Sequence, residues 1–195
     1  QEVFNLCAAR NWPCIMTDPA LPSGSDRLFA VARQMEASIY INIQADEPLL
    51  QPEHIEALLR PFARPNVSVT TLRVRCPDHS VSDPNVVKVV CAPDDRALYF
   101  SRAAIPFDRD RQGVTYWKHL GLYAYRRTAL EEFAMLPPGR LEQIERLEQL
   151  RLLENGIDIH VAETTHDTIG VDTEEDLRRV ERLLATRNSE LETQS

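Results

Sequence analysis

The chain has 195 residues, 43% of them hydrophobic, which is enough for a single core, and a formal net charge of -8. That acidity excludes a sequence-independent nucleic-acid binder, which needs a basic stripe to displace counterions, so any anionic substrate must be met locally by arginines or a metal. Four cysteines, at 7, 14, 76 and 91, show no CxxC pair and no clustered histidines. Reduced thiols and a cytoplasmic setting are therefore expected, with no zinc, no signal peptide and no membrane partner.

In chain order, residues 1–10 read as a helix, 13–17 as a short strand and 26–35 as a second helix with Leu28, Val31 and Ala32 on its apolar side. Residues 39–48, IYINIQADEP, are an apolar run that stops at Asp46. A strand ending in an acid places that acid at the carboxyl end of a sheet, where open α/β folds bind ligands and metals. Asp before Pro also opens a turn, so Asp46 taken alone leaves both roles open.

A helix over 51–63, strands over 67–74, 86–91, 97–102 and 119–125, and a polar, aperiodic loop over 104–118 come next. The loop carries Asp108-Arg109-Asp110-Arg111 and suits either a cover over a substrate or a solvated charge cluster. Pro138-Gly139 precede an expected amphipathic helix over 141–154, with a C-cap at Asn155-Gly156. On it Leu141, Ile144, Leu147 and Leu150 form the apolar stripe, and Glu145, Glu148 and Gln149 share another face.

A strand over 157–163 leads to Gly170-Val171-Asp172-Thr173. Thr173 with Asp176 fits a capping box, so Asp172 stands at the positive end of a last helix over 174–187, followed by a polar tail, 188–195. Alternation of helix and strand predicts one α/β domain over 1–187, a three-layer α/β/α with a mostly parallel sheet. Two carboxylates at element ends, Asp46 and Asp172, could share one Mg²⁺, which keeps several waters and substrate phosphates as its other ligands.

The chain lacks GxGxxG, GxxxxGK[ST], GxSxG and HExxH, so dinucleotide, P-loop, serine-hydrolase and zinc-protease readings lack their equipment. Pro22-Ser23-Gly24-Ser25-Asp26-Arg27 precedes a helix start, where free N–H groups can hold an anion or a base edge.

SGSDR at 23–27, NIQADEP at 42–48, LYFSRAAIPFDRD at 98–110, HLGLYAYR at 119–126, LEQIERLEQLR at 141–151 and GVDT at 170–173 occur in the order of one family. Together they resemble the 3-deoxy-manno-octulosonate (Kdo) cytidylyltransferases, whose sheet is of the nucleotide-diphospho-sugar transferase type. The resemblance implies transfer of CMP from CTP to the sugar acid Kdo, with release of pyrophosphate, for lipopolysaccharide assembly. It implies Mg²⁺ on Asp46 and Asp172, and a cytidine-binding segment at Ser23, Gly24 and Arg27. It further implies that Gln44, His119, Tyr123, Glu148 and Gln149 contact substrate, that Arg109 is a catalytic basic residue on the loop, and that the protein is a homodimer.

Family members begin with a strand, a phosphate-gripping loop, a helix and a second strand, on the order of 50 residues that have no counterpart here, so an N-terminally incomplete sheet is expected. Ala45 stands where the family has Gly, and Leu21-Pro22 where it has His-Gln. Two alternatives belong beside this reading: a non-catalytic protein that binds a sugar acid or a subunit, and a cytidylyltransferase for another ulosonic acid, since one substituent alters few pocket contacts.

Overall fold

The computed structural model describes residues 2–21, 23–171 and 173–192, with side chains to 186. The expected metal ligand Asp172, the Pro22 departure and residues 1 and 193–195 lie outside the described residues. The elements are α1 (Glu2–Ala9), α2 (Gly24–Ala32), β1 (Ile39–Asn42), α3 (Pro52–Leu59), β2 (Val69–Arg75), β3 (Lys88–Cys91), β4 (Ala97–Ser101), β5 (Trp117–Arg126), α4 (Arg127–Met135), α5 (Arg140–Glu145), α6 (Leu150–Glu154), β6 (His160–Glu163) and α7 (Glu174–Glu192).

The strands form one six-stranded sheet in the order β4-β3-β5-β2-β6, with β1 also on β5. β5 is the axis. Its side chains alternate between two cores, Leu120, Leu122 and Ala124 joining the cluster around α3 while Tyr123 and Tyr125 join the cluster with Phe100, Leu130 and Leu150. With α3 on one face and α2, α4 and α6 packed on the other, the three-layer α/β/α architecture holds.

The expectation of mostly parallel pairing is corrected. β5 runs antiparallel to β1, β2 and β3, and β3 to β4, which leaves β2 with β6 as the one parallel ladder among the described residues. Four strands, β1, β2, β3 and β6, do share one direction. The reversed β5 lies between them, entering from the loop over 102–116 rather than from a crossover helix, and so converts neighbouring ladders to antiparallel.

Residues 13–17 form no strand; they are irregular backbone, and Arg27 holds the 17–21 stretch through Thr17 Oγ1 and three carbonyls. The expected single helix over 141–154 is two short ones, α5 and α6, because Arg146 adopts the left-handed conformation (φ 55°). α4 escaped the sequence reading because it starts within the continuous run that ends β5. The last helix continues to Glu192 where a polar tail was expected, since Glu190, Leu191 and Glu192 favour helix. All four cysteines are free.

Candidate active site at the carboxyl end of the first strand

Beyond β1 the chain turns twice, with Glu47 N–H donating to Gln44 O and Leu50 N–H to Glu47 O, each at 3.3 Å. This corner holds Asp46 exposed to solvent. The Asp46 carbonyl accepts from Val171 N–H at 2.9 Å, so the Gly170-Val171 stretch, distant in sequence, lies against it. Thr173 and Asp176 then form the expected reciprocal cap: Thr173 N–H donates to Asp176 Oδ2 (2.9 Å) and Asp176 N–H to Thr173 Oγ1 (3.2 Å).

Glu47 supplies a second sign of function. Its Oε2 is buried with no hydrogen-bond partner, and burial raises its pKa, opposed by a hydrogen bond from Thr168. Among the described residues no three His, Cys, Asp or Glu side chains gather as a metal set. An ion held here would take one or two carboxylates and complete its shell from water and phosphate.

α2 starts beside the same strand end. Ser23 is its N-cap, accepting from Asp26 N–H at 3.1 Å. A Cβ on Gly24 would come within 3.4 Å of both Asn42 Nδ2 and Gln44 Nε2, so Gly24 lets the helix start close on the two amides. The Arg27 guanidinium, expected as a substrate contact, hydrogen-bonds the 17–21 stretch that leads into Ser23.

Facing α2 across β5 is a buried polar group. Ser25 Oγ donates to Glu148 Oε2 at 2.7 Å, joining the helix start to the break between α5 and α6. The left-handed Arg146 ends α5, and Glu148 and Gln149 occupy the non-helical link, not a polar helix face as the sequence suggested. Gln149 Nε2 and Tyr123 Oη are both buried without partners.

His119 is buried, and its Nε2 lies 3.0 Å from Thr71 Oγ1. The Thr71 hydroxyl has one proton for the Leu120 and Leu122 carbonyls at 3.1 and 2.8 Å, so His119 Nε2 is the donor to Thr71. Burial, with Lys118 adding repulsion, pushes the His119 pKa down to about 3 and keeps the ring neutral. Burial likewise pushes the Tyr123 phenol well up, with Tyr125 and Glu148 adding to it and the Thr71 hydroxyl opposing it.

Gln44, His119, Tyr123, Glu148 and Gln149 thus surround the carboxyl end of β1, the start of α2 and the middle of β5. Arg109 is apart from them, exposed on the loop over 102–116, with no ion pair or side-chain hydrogen bond among the described residues. That loop is shaped by Asp108, whose carboxylate accepts from Gln112 and Gly113 N–H at 2.9 and 3.0 Å and whose pKa is lowered by those bonds. Glu145 anchors the start of the loop through Ser101 Oγ (2.6 Å) and Arg102 N–H (3.0 Å). Ser25, Thr71, Asn42 and Glu47 shape the site and were not singled out from sequence. Ser25 lay within the SGSDR motif; Thr71 carried no signal beyond strand alternation.

The chain is similar to a solved CMP:2-keto-3-deoxy-manno-octonic acid synthetase complexed with CTP, at 41% identity and a TM-score of 0.91, over 95% of this chain and 78% of that one. A Bacillus anthracis structure described as a glucose-1-phosphate thymidylyltransferase shares the fold alone, with a TM-score of 0.62 at 14% identity, over 93% of this chain and 70% of that one. The fold is therefore of the nucleotidyltransferase α/β class. The Cytidylyltransferase family profile matches residues 1–159. The 3-deoxy-manno-octulosonate cytidylyltransferase of Acidobacterium capsulatum is 61% identical over 96% of this chain and 77% of its own length. That of Koribacter versatilis is 50% identical over 96% and 72%. The chain belongs to the 3-deoxy-manno-octulosonate cytidylyltransferase family.

Proposed function

We propose that the chain transfers CMP from CTP to the anomeric hydroxyl of Kdo and releases pyrophosphate. The observation that carries this reading is the set of buried, unpartnered polar atoms, Glu47 Oε2, Tyr123 Oη and Gln149 Nε2, around the carboxyl end of β1 beside a helix start that can meet a base or phosphate. Such atoms are costly in an empty protein and are satisfied by a polyhydroxylated acid.

In this reading the Ser23-Gly24 turn, with Asn42 and Gln44 packed behind it, receives the nucleotide. Tyr123, His119 and Gln149 hold the sugar acid. The Ser25–Glu148 bond fixes the distance between the two, so that the sugar hydroxyl lies in line with the α-phosphorus. The sugar oxygen forms the new P–O bond as the bond to pyrophosphate breaks, and the hydroxyl proton passes to solvent or to a phosphate oxygen. His119 stays neutral, so it orients substrate and adds no positive charge. Asp46, with Asp172, is the proposed seat of Mg²⁺, which when bound offsets the charge of the triphosphate and the sugar carboxylate. Arg109 approaches the phosphates only if its loop folds inward.

The setting is the cytoplasm and lipopolysaccharide assembly; among the described residues no helix is long and apolar enough to cross a membrane. A homodimer fits the apolar side chains exposed within the 119–150 region, Met135 at 81% and Ile144 at 67%. The test is pyrophosphate release from CTP by the purified protein. Release that requires both Kdo and Mg²⁺ supports the reading, and absence of release at any Mg²⁺ concentration overturns it.

A further inference from the structure

A second polar cavity lies outside the site described above. Along the outer end of β6 runs a groove of about 420 Å³ lined by Arg60, Arg64, Arg73, Asp95, His160 and Glu163, with Pro61, Val161 and Ala162 between them. In the β2–β6 ladder His160 pairs with Thr70, whose hydroxyl donates to Leu58 O of α3, so the His160 ring stands on the α3 side of the sheet. His119 hydrogen-bonds the next residue, Thr71, which points to the other side.

The charges in the groove are unequal. Arg73 is paired through Nη2, 3.1 Å from Asp95 Oδ1 and 3.6 Å from Glu163 Oε2, while its Nε is buried without a hydrogen-bond partner. The guanidinium groups of Arg60 and Arg64, four residues apart in the turn that follows α3, have no ion pair or hydrogen bond among the described residues. Two uncommitted guanidinium groups on one cavity are notable in a chain of net charge -8, where carboxylates outnumber cations. His160 is only 3% exposed, yet its Nδ1 has no partner. Burial, with Arg64 adding repulsion, lowers its pKa, so the ring is neutral and can present one N–H without adding charge.

We propose that this groove binds a phosphoryl group, with its oxygens held by the Arg60 and Arg64 guanidinium groups and by a hydrogen bond from His160 Nδ1. A tetrahedral oxyanion can take two forked donors and a third N–H at once, whereas a carboxylate has only two oxygens to share among them. Asp95 and Glu163 keep Arg73 occupied, which confines the anion to the Arg60–Arg64 side. The proposal is independent of the cytidylyl-transfer reading, because none of these residues belongs to the β1 end of the sheet.

The experiment is a nuclear magnetic resonance titration of the isotope-labelled chain with inorganic phosphate and, separately, with pyrophosphate at low salt. Saturable movement of the His160 ring and of the Arg60 and Arg64 Nε signals is expected. Binding should weaken about tenfold in the Arg60→Gln, Arg64→Gln double variant, less in His160→Gln, and not at all in Asp46→Asn. The double variant changes two exposed side chains and should keep the parental melting temperature. Tighter binding of pyrophosphate assigns the groove to a diphosphate, and equal binding to a single phosphoryl group. The proposal is overturned if neither anion moves these signals, or if the double variant responds as the parent does.

Discussion

Lys88 and His119 are near neighbours across the β3–β5 ladder, where Lys88 pairs with Lys118, yet they head two polar clusters of opposite character. The Lys88 ammonium is buried and saturated: its three protons meet the carbonyls of Asp83, Val86 and Arg102. His119, Tyr123 and Gln149 are also buried, but Tyr123 Oη and Gln149 Nε2 have no well-formed hydrogen bond. Saturation at Lys88 is what a structural staple requires, since it joins the 83–86 loop to the end of β4. Unsatisfied capacity a few residues away is what a ligand would complete. Burial alone therefore does not separate scaffold from site; the count of remaining hydrogen bonds does.

The largest expected effect sharpens the contrast at a group that is neither buried nor structural. Asp46 is exposed, so Asp46→Asn should leave the melting temperature unchanged while lowering pyrophosphate release about 10³-fold, roughly 4 kcal/mol of barrier. A fall in thermal stability that accounts for the lost turnover would show the carboxylate to be a turn-former only. Next, Lys88→Met removes the donor of the saturated cluster and leaves three carbonyls unpaired. It is expected to cost about 3 kcal/mol in chemical denaturation, and turnover at low temperature should survive in the folded fraction. A stability loss under 1 kcal/mol would show that water replaces the ammonium.

The two clusters also differ in how far sequence exposed them. Periodicity marks most strands and helices, and an apolar run that stops at an acid marks the strand end that carries Asp46. The direction of β5 was not legible, because an antiparallel strand with both faces buried looks the same as a parallel one: HLGLYAYR has no alternation of polarity. The break at Arg146 was equally hidden. A left-handed arginine carries no Gly or Asn signal, and the leucine stripe continues through it, although that break is what turns Glu148 toward α2. Lys88 shows the same limit: a lysine in a strand reads as an edge residue until three carbonyls are found around it.

A pH titration probes the His119 half of the comparison. Its folded pKa of about 3 lies below the ordinary 6.5, so the unfolded chain takes up a proton that the folded chain refuses. The contribution is fully present above pH 6.5 and is lost as pH falls toward 3. About 2 kcal/mol should disappear between pH 6.5 and about pH 5, at roughly 1.4 kcal/mol per unit. In His119→Gln that slope should flatten over this window whatever the variant's absolute stability. An unchanged slope would assign the acid sensitivity to other groups, His160 first, since its pKa is lowered in the same direction.

The smallest effect tests the unsatisfied phenol directly. Tyr123 Oη is buried with no well-formed hydrogen bond, the Thr71 hydroxyl beside it opposing the rise in its pKa only in part, so Tyr123→Phe removes little internal bonding and should leave stability close to the parent. If the phenol contacts the sugar acid, KM for Kdo should rise about fivefold with KM for CTP unchanged, the loss expected for one neutral hydrogen bond. A rise confined to CTP would move Tyr123 to the nucleotide side of the Ser25–Glu148 bond. Unchanged values for both substrates would leave the buried hydroxyl without a role in binding, and the link between unsatisfied polar atoms and ligand would fail at the residue where it is most exposed to test.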